Sequence, residues 1–199
     1  LRNIKLASKI IIILNQELYF VAIDQLEEIN VSDYVILVEE EGRDTAAAIA
    51  LASFYIQDHF SNEIMLVTPS DHVIKNEKNY KKSVSEAIEF SKENNITVFG
   101  ITPTSPETGY GYIEKENEND VKRFVEKPNL QTAEKYLKNN SFFWNSGMFI
   151  FTSDVYLQEL KINEIDIYDN SFEVYLKSKE TLRFKTDDMK KIPKLSIDY

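Results

Sequence analysis

Four short apolar runs punctuate the first half of the chain: IIIIL at Ile10–Leu14, YVILV at Tyr34–Val38, IMLVT at Ile64–Thr68 and ITVFGI at Ile96–Ile101. Each has the length of a strand, is rich in β-branched residues and is nearly continuous in apolar character, as in a sheet covered on both faces. The segments between them carry apolar residues at helical spacing. Tyr19–Ile29 is one such segment. Thr45–Ile56 is another, rich in alanine, with Asp44 or Thr45 in position to cap it. Tyr80–Glu93 is the clearest, because Tyr80, Val84, Ala87, Ile88 and Ser91 fall on one helix face. Strands alternating with helices predict βαβ units with right-handed crossovers. The expected class is α/β, with a central, mostly parallel mixed sheet covered by helices on both faces.

The pattern changes after Thr102. Tyr112–Lys115 and Val121–Val125 read as a hairpin across the polar stretch Glu114–Asp120. A helix at Leu130–Leu137, a strand at Met148–Phe151 and a helix at Ser153–Leu160 follow. From Lys161 to Thr186 the signal is weak: Ile162, Ile165, Ile167 and Phe172 are apolar without a clean period. No repeat, low-complexity tract or linker divides the chain, so residues 1–199 read as a single domain.

Composition narrows the functional classes. The 199 residues are 43% hydrophobic and 28% charged, an ordinary globular balance. The longest apolar run is strand-sized, far short of the roughly 20 residues a membrane-spanning helix needs, and no secretory leader pattern is visible. Cysteine is absent, which excludes disulfides and thiolate chemistry and favours a reducing compartment. The formal net charge of −10 argues against a nucleic-acid partner. It still allows an anionic small substrate, provided the phosphate site is assembled locally from backbone amides, one or two lysines or a metal ion.

In open α/β sheets ligands bind beyond the carboxyl ends of the strands. Three polar clusters fall near such positions. Pro69-Ser70-Asp71-His72 follows the third apolar run. Asp71 would stand at the strand tip, where it either meets a metal or phosphate-bearing ligand or caps the next turn; His72 reads as a structural or supporting residue. Glu107–Ile113 carries two of the chain's five glycines, Gly109 and Gly111, beside tyrosines. Glycine there permits either a close backbone approach to a ligand or a tight entry into the hairpin. Glu126-Lys127-Pro128 and Trp144-Asn145-Ser146-Gly147-Met148 form the third cluster. Glu126 and Lys127 can hold a sugar hydroxyl and a phosphate side by side, and Asn145 can donate and accept at once.

The order of these stretches resembles the mannose-1-phosphate guanylyltransferase family, bacterial type, within the sugar nucleotidyltransferases. The matching segments are EGRDTAAAIALA (Glu41–Ala52), VTPSDHVI (Val67–Ile74), FGITPTSPETGYGYIE (Phe99–Glu114), RFVEKPN (Arg123–Asn129), WNSGMFIF (Trp144–Phe151) and SIDY (Ser196–Tyr199). The resemblance implies a Rossmann-like nucleotidyltransferase fold and a Mg²⁺-dependent transfer of GMP from GTP to mannose 1-phosphate. It implies that Asp71, Lys127 and Asp198 are catalytic, with Asp71 and Asp198 binding the metal. Tyr110, Gly111, Glu126, Lys127 and Asn145 would contact the sugar phosphate, and Arg43, Asp44 and Thr45 the nucleotide. It further implies a cytoplasmic enzyme, in some relatives joined to a mannose-6-phosphate isomerase, and leaves a homodimer open.

Departures from the family pattern are visible too. Asp44 stands where asparagine is usual, Glu40 and Ala47 where prolines are common, and Ser70 where alanine is usual. The glycine-rich phosphate loop of the family is not within these residues: Leu1 matches a point downstream of it, and Tyr199 falls where the family continues. A chain without that loop is expected to be inactive alone. A transferase for another base or sugar, and a non-catalytic subunit of the same fold, are the alternatives.

Overall fold

The computed structural model describes residues 7–199, and Leu1–Leu6 lie outside them. The first half alternates as its pattern predicts: β1 (Ile10–Asn15), α1 (Tyr19–Glu28), β2 (Tyr34–Glu39), α2 (Asp44–Phe60), β3 (Ile64–Val67), α3 (Glu77–Ser91) and β4 (Thr97–Ile101). The second half comprises the hairpin strands β5 (Tyr112–Lys115) and β6 (Val121–Val125), then α4 (Leu130–Leu137) and a long β7 (Phe142–Thr152). It closes with α5 (Ser153–Asn163), α6 (Ile165–Ser178), a short β8 (Arg183–Phe184) and α7 (Thr186–Met189).

The class is α/β, and the strands divide into two sheets. One is parallel, in the order β1-β2-β8, with Ile10 opposite Tyr34 and Val38 opposite Arg183. The other is built antiparallel around β7. Trp144 pairs with Ile101 of β4 on one edge and Tyr112 of β5 on the other; Phe149 likewise pairs with Val98 of β4 and Val67 of β3. Hence β4 runs along one edge of β7, while β3 and β5 share the opposite edge end to end. Between them lies the stretch Asn145–Met148, facing the loops that leave β3 and enter β5. One core joins both sheets: α2 buries ten consecutive or near-consecutive residues from Ala46 to Ile56 against Phe149 and Phe151 of β7, Tyr156 and Leu157 of α5, Ile167 and Tyr175 of α6, and Phe184 of β8. Alanines at 46, 47, 50 and 52 let neighbouring elements approach α2 closely on several sides.

Three local expectations change. The strand expected at Met148–Phe151 begins at Phe142, so Asn145, Ser146 and Gly147 lie within it rather than before it. Pairing of Phe142–Trp144 with β5 carries the strand through. The polar stretch is absorbed by Gly147, whose φ of +67° suits glycine, and whose N–H donates to Asn145 Oδ1 at 3.0 Å. Secondly, neither Asp44 nor Thr45 caps α2 with its side chain: the helix begins at Asp44, and Arg43 precedes it without a capping bond. The Thr45 hydroxyl is engaged elsewhere, as described below. Thirdly, the weak region Lys161–Thr186 holds a full helix. Its buried face is Ile167, Ser171, Val174, Tyr175 and Ser178, which has helical spacing but includes two serines, while Ile165, Phe172 and Leu176 are exposed. Among the described residues no helix is long and apolar enough to cross a membrane.

Candidate functional site

The site grows from Asn145 on β7. Its Nδ2 donates to Asp198 Oδ1 at 2.7 Å, and its Oδ1 accepts from the Gly147 amide, so both halves of the side-chain amide are used. The second carboxylate oxygen of Asp198 accepts from Ser196 Oγ at 2.8 Å. Asp198 is thus fixed against the Asn145–Gly147 stretch of β7, although it comes from the far end of the chain.

Gly111, immediately before β5, reaches the same stretch, its carbonyl accepting from the Asn145 amide at 2.8 Å. Gly111 is buried, and a methyl group added there would fall 2.7 Å from Glu126 Oε2 and 3.5 Å from Asn145 Cβ. Glycine at 111 therefore makes room for Glu126. Tyr110, half exposed, sets its ring edge-on to Trp144 at 5.3 Å. Lys127 follows Glu126 and pairs with it at 3.0 Å. The hydrogen bond and charge of Glu126 hold the ammonium above the usual lysine range, and Asp198 adds to the attraction. Lys127 has a φ of +41° immediately before Pro128, a conformation that side chains and a following proline both disfavour. Backbone strain of this kind costs about 1–3 kcal/mol.

The loop leaving β3 arrives from the other side. The Pro69 ring lies 3.4 Å from a methyl group built on Gly147. Asp71 follows two residues later, exposed, with no side-chain hydrogen bond among the described residues. The capping role open to it belongs instead to Asn76, whose side chain accepts from Asn79 at the start of α3. Asp198 is thus bonded to Asn145, while Pro69 is the residue of the Asp71 loop that meets Gly147. Among the described residues no group of three or more acidic or histidine side chains is arranged to hold a metal. His72 is exposed beside Asp71.

The third expected group, Arg43, Asp44 and Thr45, makes bonds within the chain. Arg43 Nε donates to the Ile192 carbonyl at 2.7 Å, and its Nη1 lies 3.5 Å from Glu41. Asp44, at φ +69°, accepts the Thr45 amide at 2.9 Å. Thr45 Oγ1 accepts from the Ile197 amide at 2.9 Å and lies 3.0 Å from Ser196 Oγ. These residues fasten the segment that bears Asp198. Glu40 accepts from Lys185 Nζ at 2.8 Å and from the Thr186 amide at 3.0 Å, and its carboxyl is held below the usual range by those bonds.

Two features escaped sequence reasoning. A cleft of about 620 Å³ opens at the carboxyl ends of β1 and β2, lined by Asn15, Gln16, Glu17, Phe20, Glu40 and Gly42. Its lining carries two carboxylates and no cation, so a phosphate there needs countercharge from a metal or from elsewhere. The second is Glu39, the last residue of β2. It is buried, its Oε1 has no partner, and burial pushes its carboxyl up to about 7. It shares a strand face with Val35 and Leu37, which pack in the core with α2. Because the folded-state value lies above the unfolded 4.5, the unfolded chain ionises first as pH rises. Stability linked to Glu39 is therefore full below pH 4.5 and is lost progressively up to pH 7. Urea unfolding at a series of pH values should show that decline in the unmodified chain and a flatter profile in Glu39→Gln.

Comparison with known proteins gives the arrangement its family. The Nucleotidyl transferase profile matches residues 2–190. The mannose-1-phosphate guanylyltransferase of Salmonella montevideo is 40% identical over 97% of this chain, and the alginate biosynthesis protein AlgA of Pseudomonas fluorescens is 36% identical over 95%. The chain spans only 43% and 41% of the lengths of those relatives. Among solved structures, the mannose-6-phosphate isomerase of Helicobacter pylori superposes with a TM-score of 0.88 at 33% identity, covering 99% of this chain and 79% of that one. A Thermus thermophilus structure titled mannose-1-phosphate geranyltransferase shares the fold at TM-score 0.72 and 22% identity, covering 97% of this chain and 70% of that one. Nucleotidyl transferases of this kind typically use a divalent metal. With 189 of its 199 residues inside the family profile, the chain belongs to the nucleotidyl transferase family.

Proposed function

We propose that this chain is the nucleotidyl-transferring domain of a Mg²⁺-dependent mannose-1-phosphate guanylyltransferase, acting in the cytoplasm on GTP and mannose 1-phosphate. The observation that carries the reading is the convergence at Asn145–Gly147 of an anchored carboxylate, Asp198, with the Glu126–Lys127 pair behind Gly111. Those groups match what the reaction demands. A phosphate oxygen of the sugar 1-phosphate forms a bond to the α-phosphorus of GTP, and the bond from that phosphorus to the bridging oxygen breaks, releasing pyrophosphate. No covalent nucleophile is required, and catalysis is a matter of positioning and charge neutralisation.

Each residue then has a task. Glu126 accepts from sugar hydroxyls, as a half-buried carboxylate with one oxygen turned to Gly111 can do. Lys127, kept charged by Glu126, meets the sugar phosphate. Asp71 and Asp198 are oxygen donors of the kind a hard divalent cation takes, and two carboxylates suffice for a magnesium ion that completes its shell with phosphate and water. When bound, such an ion would neutralise phosphate charge. The name of the Salmonella montevideo relative supports GTP over other nucleotides.

The experiment is pyrophosphate release by the full-length protein with mannose 1-phosphate, Mg²⁺ and, in separate reactions, GTP, ATP, UTP or dTTP. Release requiring all three components with GTP preferred is the expected result. Preference for another base would point to a related transferase; no release with any nucleotide would favour a non-catalytic subunit.

A further inference from the structure

The direction of the hydrogen bonds around Asp198 can be fixed by elimination. An ionised carboxylate only accepts, so the Ser196 hydroxyl proton lies in the 2.8 Å contact to Asp198 Oδ2. Ser196 Oγ must then accept in its 3.0 Å contact with Thr45, whose hydroxyl supplies the proton. Thr45 Oγ1 in turn accepts the Ile197 amide at 2.9 Å, and Ser196 Oγ accepts the Asp198 amide at 3.3 Å. The result is a relay from Thr45 O–H to Ser196 O–H to the Asp198 carboxylate, with every proton committed. Two more bonds from the same turn hold the strand of chain leading in: the Ala46 amide to the Leu195 carbonyl at 3.1 Å, and Arg43 Nε to the Ile192 carbonyl.

We propose that Thr45 and Ser196 are positioning residues that orient the Asp198 carboxylate for its cation, and that Thr45 is not a nucleotide contact. This rests on the reading of Asp198 as a metal-binding carboxylate. The sole proton of Thr45 is given to Ser196, so it has none to offer a phosphate or ribose in this arrangement. The start of α2, a rigid element buried along most of its length, thereby sets the angle of a carboxylate some 150 residues distant. Outer contacts that aim a ligand in this way typically change metal affinity or activity by about 10–100-fold when removed.

The test compares Thr45→Val, Thr45→Ser and Ser196→Ala in the full-length protein by two readouts. The first is Mn²⁺ binding, followed by loss of the free ion's paramagnetic resonance signal without substrates. The second is turnover as a function of Mg²⁺ at saturating GTP. Thr45→Val and Ser196→Ala should weaken Mn²⁺ binding and raise the half-saturating Mg²⁺ by about 10–100-fold, with the KM for GTP little changed and Thr45→Ser near the unmodified protein. Should Thr45→Val not fold, Ser196→Ala carries the test alone. A raised KM for GTP with metal binding unchanged would make Thr45 a nucleotide contact and overturn the proposal, as would unchanged behaviour of both variants. Absence of turnover in the unmodified protein would instead sink the guanylyltransferase reading, while the Mn²⁺ comparison would still decide the relay.

Discussion

Asp198→Ala in the full-length protein should lower turnover by about 10²–10³-fold, the cost of removing one preorganised charge contact from a site that neutralises developing negative charge. The fold should survive the change. The segment carrying Asp198 keeps its bonds from Arg43 to Ile192, from the Ala46 amide to Leu195 and from the Ile197 amide to Thr45, none of which uses the carboxylate. Asn145 and Ser196 each lose an acceptor, but Asp198 is only partly buried, so water can replace it. Lys127 loses its weaker attraction and retains Glu126, so it remains charged. Asp198→Asn separates shape from charge. An amide can accept a hydrogen bond through its oxygen but brings no negative charge to a cation, so it should fall nearly as far as alanine. Steady-state rates across a Mg²⁺ titration check both variants, with thermal melting as the control for folding. Normal Mg²⁺-dependent turnover in Asp198→Ala would remove this residue from the metal site.

How far these features could be read beforehand depends on the distance over which they are determined. Helix α3 was legible because its buried residues Val84, Ala87 and Ser91 repeat within one local face. Helix α6 was not, since two positions on its buried face are serine and three of its apolar residues are exposed. The run Glu39-Glu40-Glu41 shows the limit most clearly. Three identical residues in sequence have three fates: Glu39 is buried with an unpaired oxygen, Glu40 binds Lys185 and Thr186, and Glu41 lies beside Arg43 and Lys190. Only the strand register and the return of the chain through β8 decide among them. The same holds at the site. Resemblance named Asn145, Asp198 and Thr45 individually, but the bond joining the first two spans 53 residues, and that between Thr45 and Ser196 spans 151. No local pattern carries such pairings.

Gly111→Ala isolates the sugar side of the site from the metal side. The added methyl group would lie 2.7 Å from Glu126 Oε2, closer than any real contact of that kind, while the neighbouring Asn145 Cβ at 3.5 Å is at ordinary distance. The atom that must give way is the end of a side chain rather than backbone, so the molecule can accommodate alanine by swinging Glu126 outward. No positive φ is recorded at Gly111, so the backbone itself does not resist the change. Stability should therefore alter little. Function should alter a great deal, because the displaced Glu126 loses both its line to the sugar hydroxyls and its 3.0 Å pairing with Lys127. A hydrogen bond to a charged group contributes about 1.5–3 kcal/mol, which corresponds to a KM for mannose 1-phosphate raised by roughly 10–150-fold. The KM for GTP and the Mg²⁺ requirement, set on the Asp198 side, should stay near their unmodified values. A melting curve together with the two KM values settles the matter. Equal losses for both substrates would mean that Gly111 supports the whole cleft, and an unchanged KM for mannose 1-phosphate would remove Glu126 from sugar recognition.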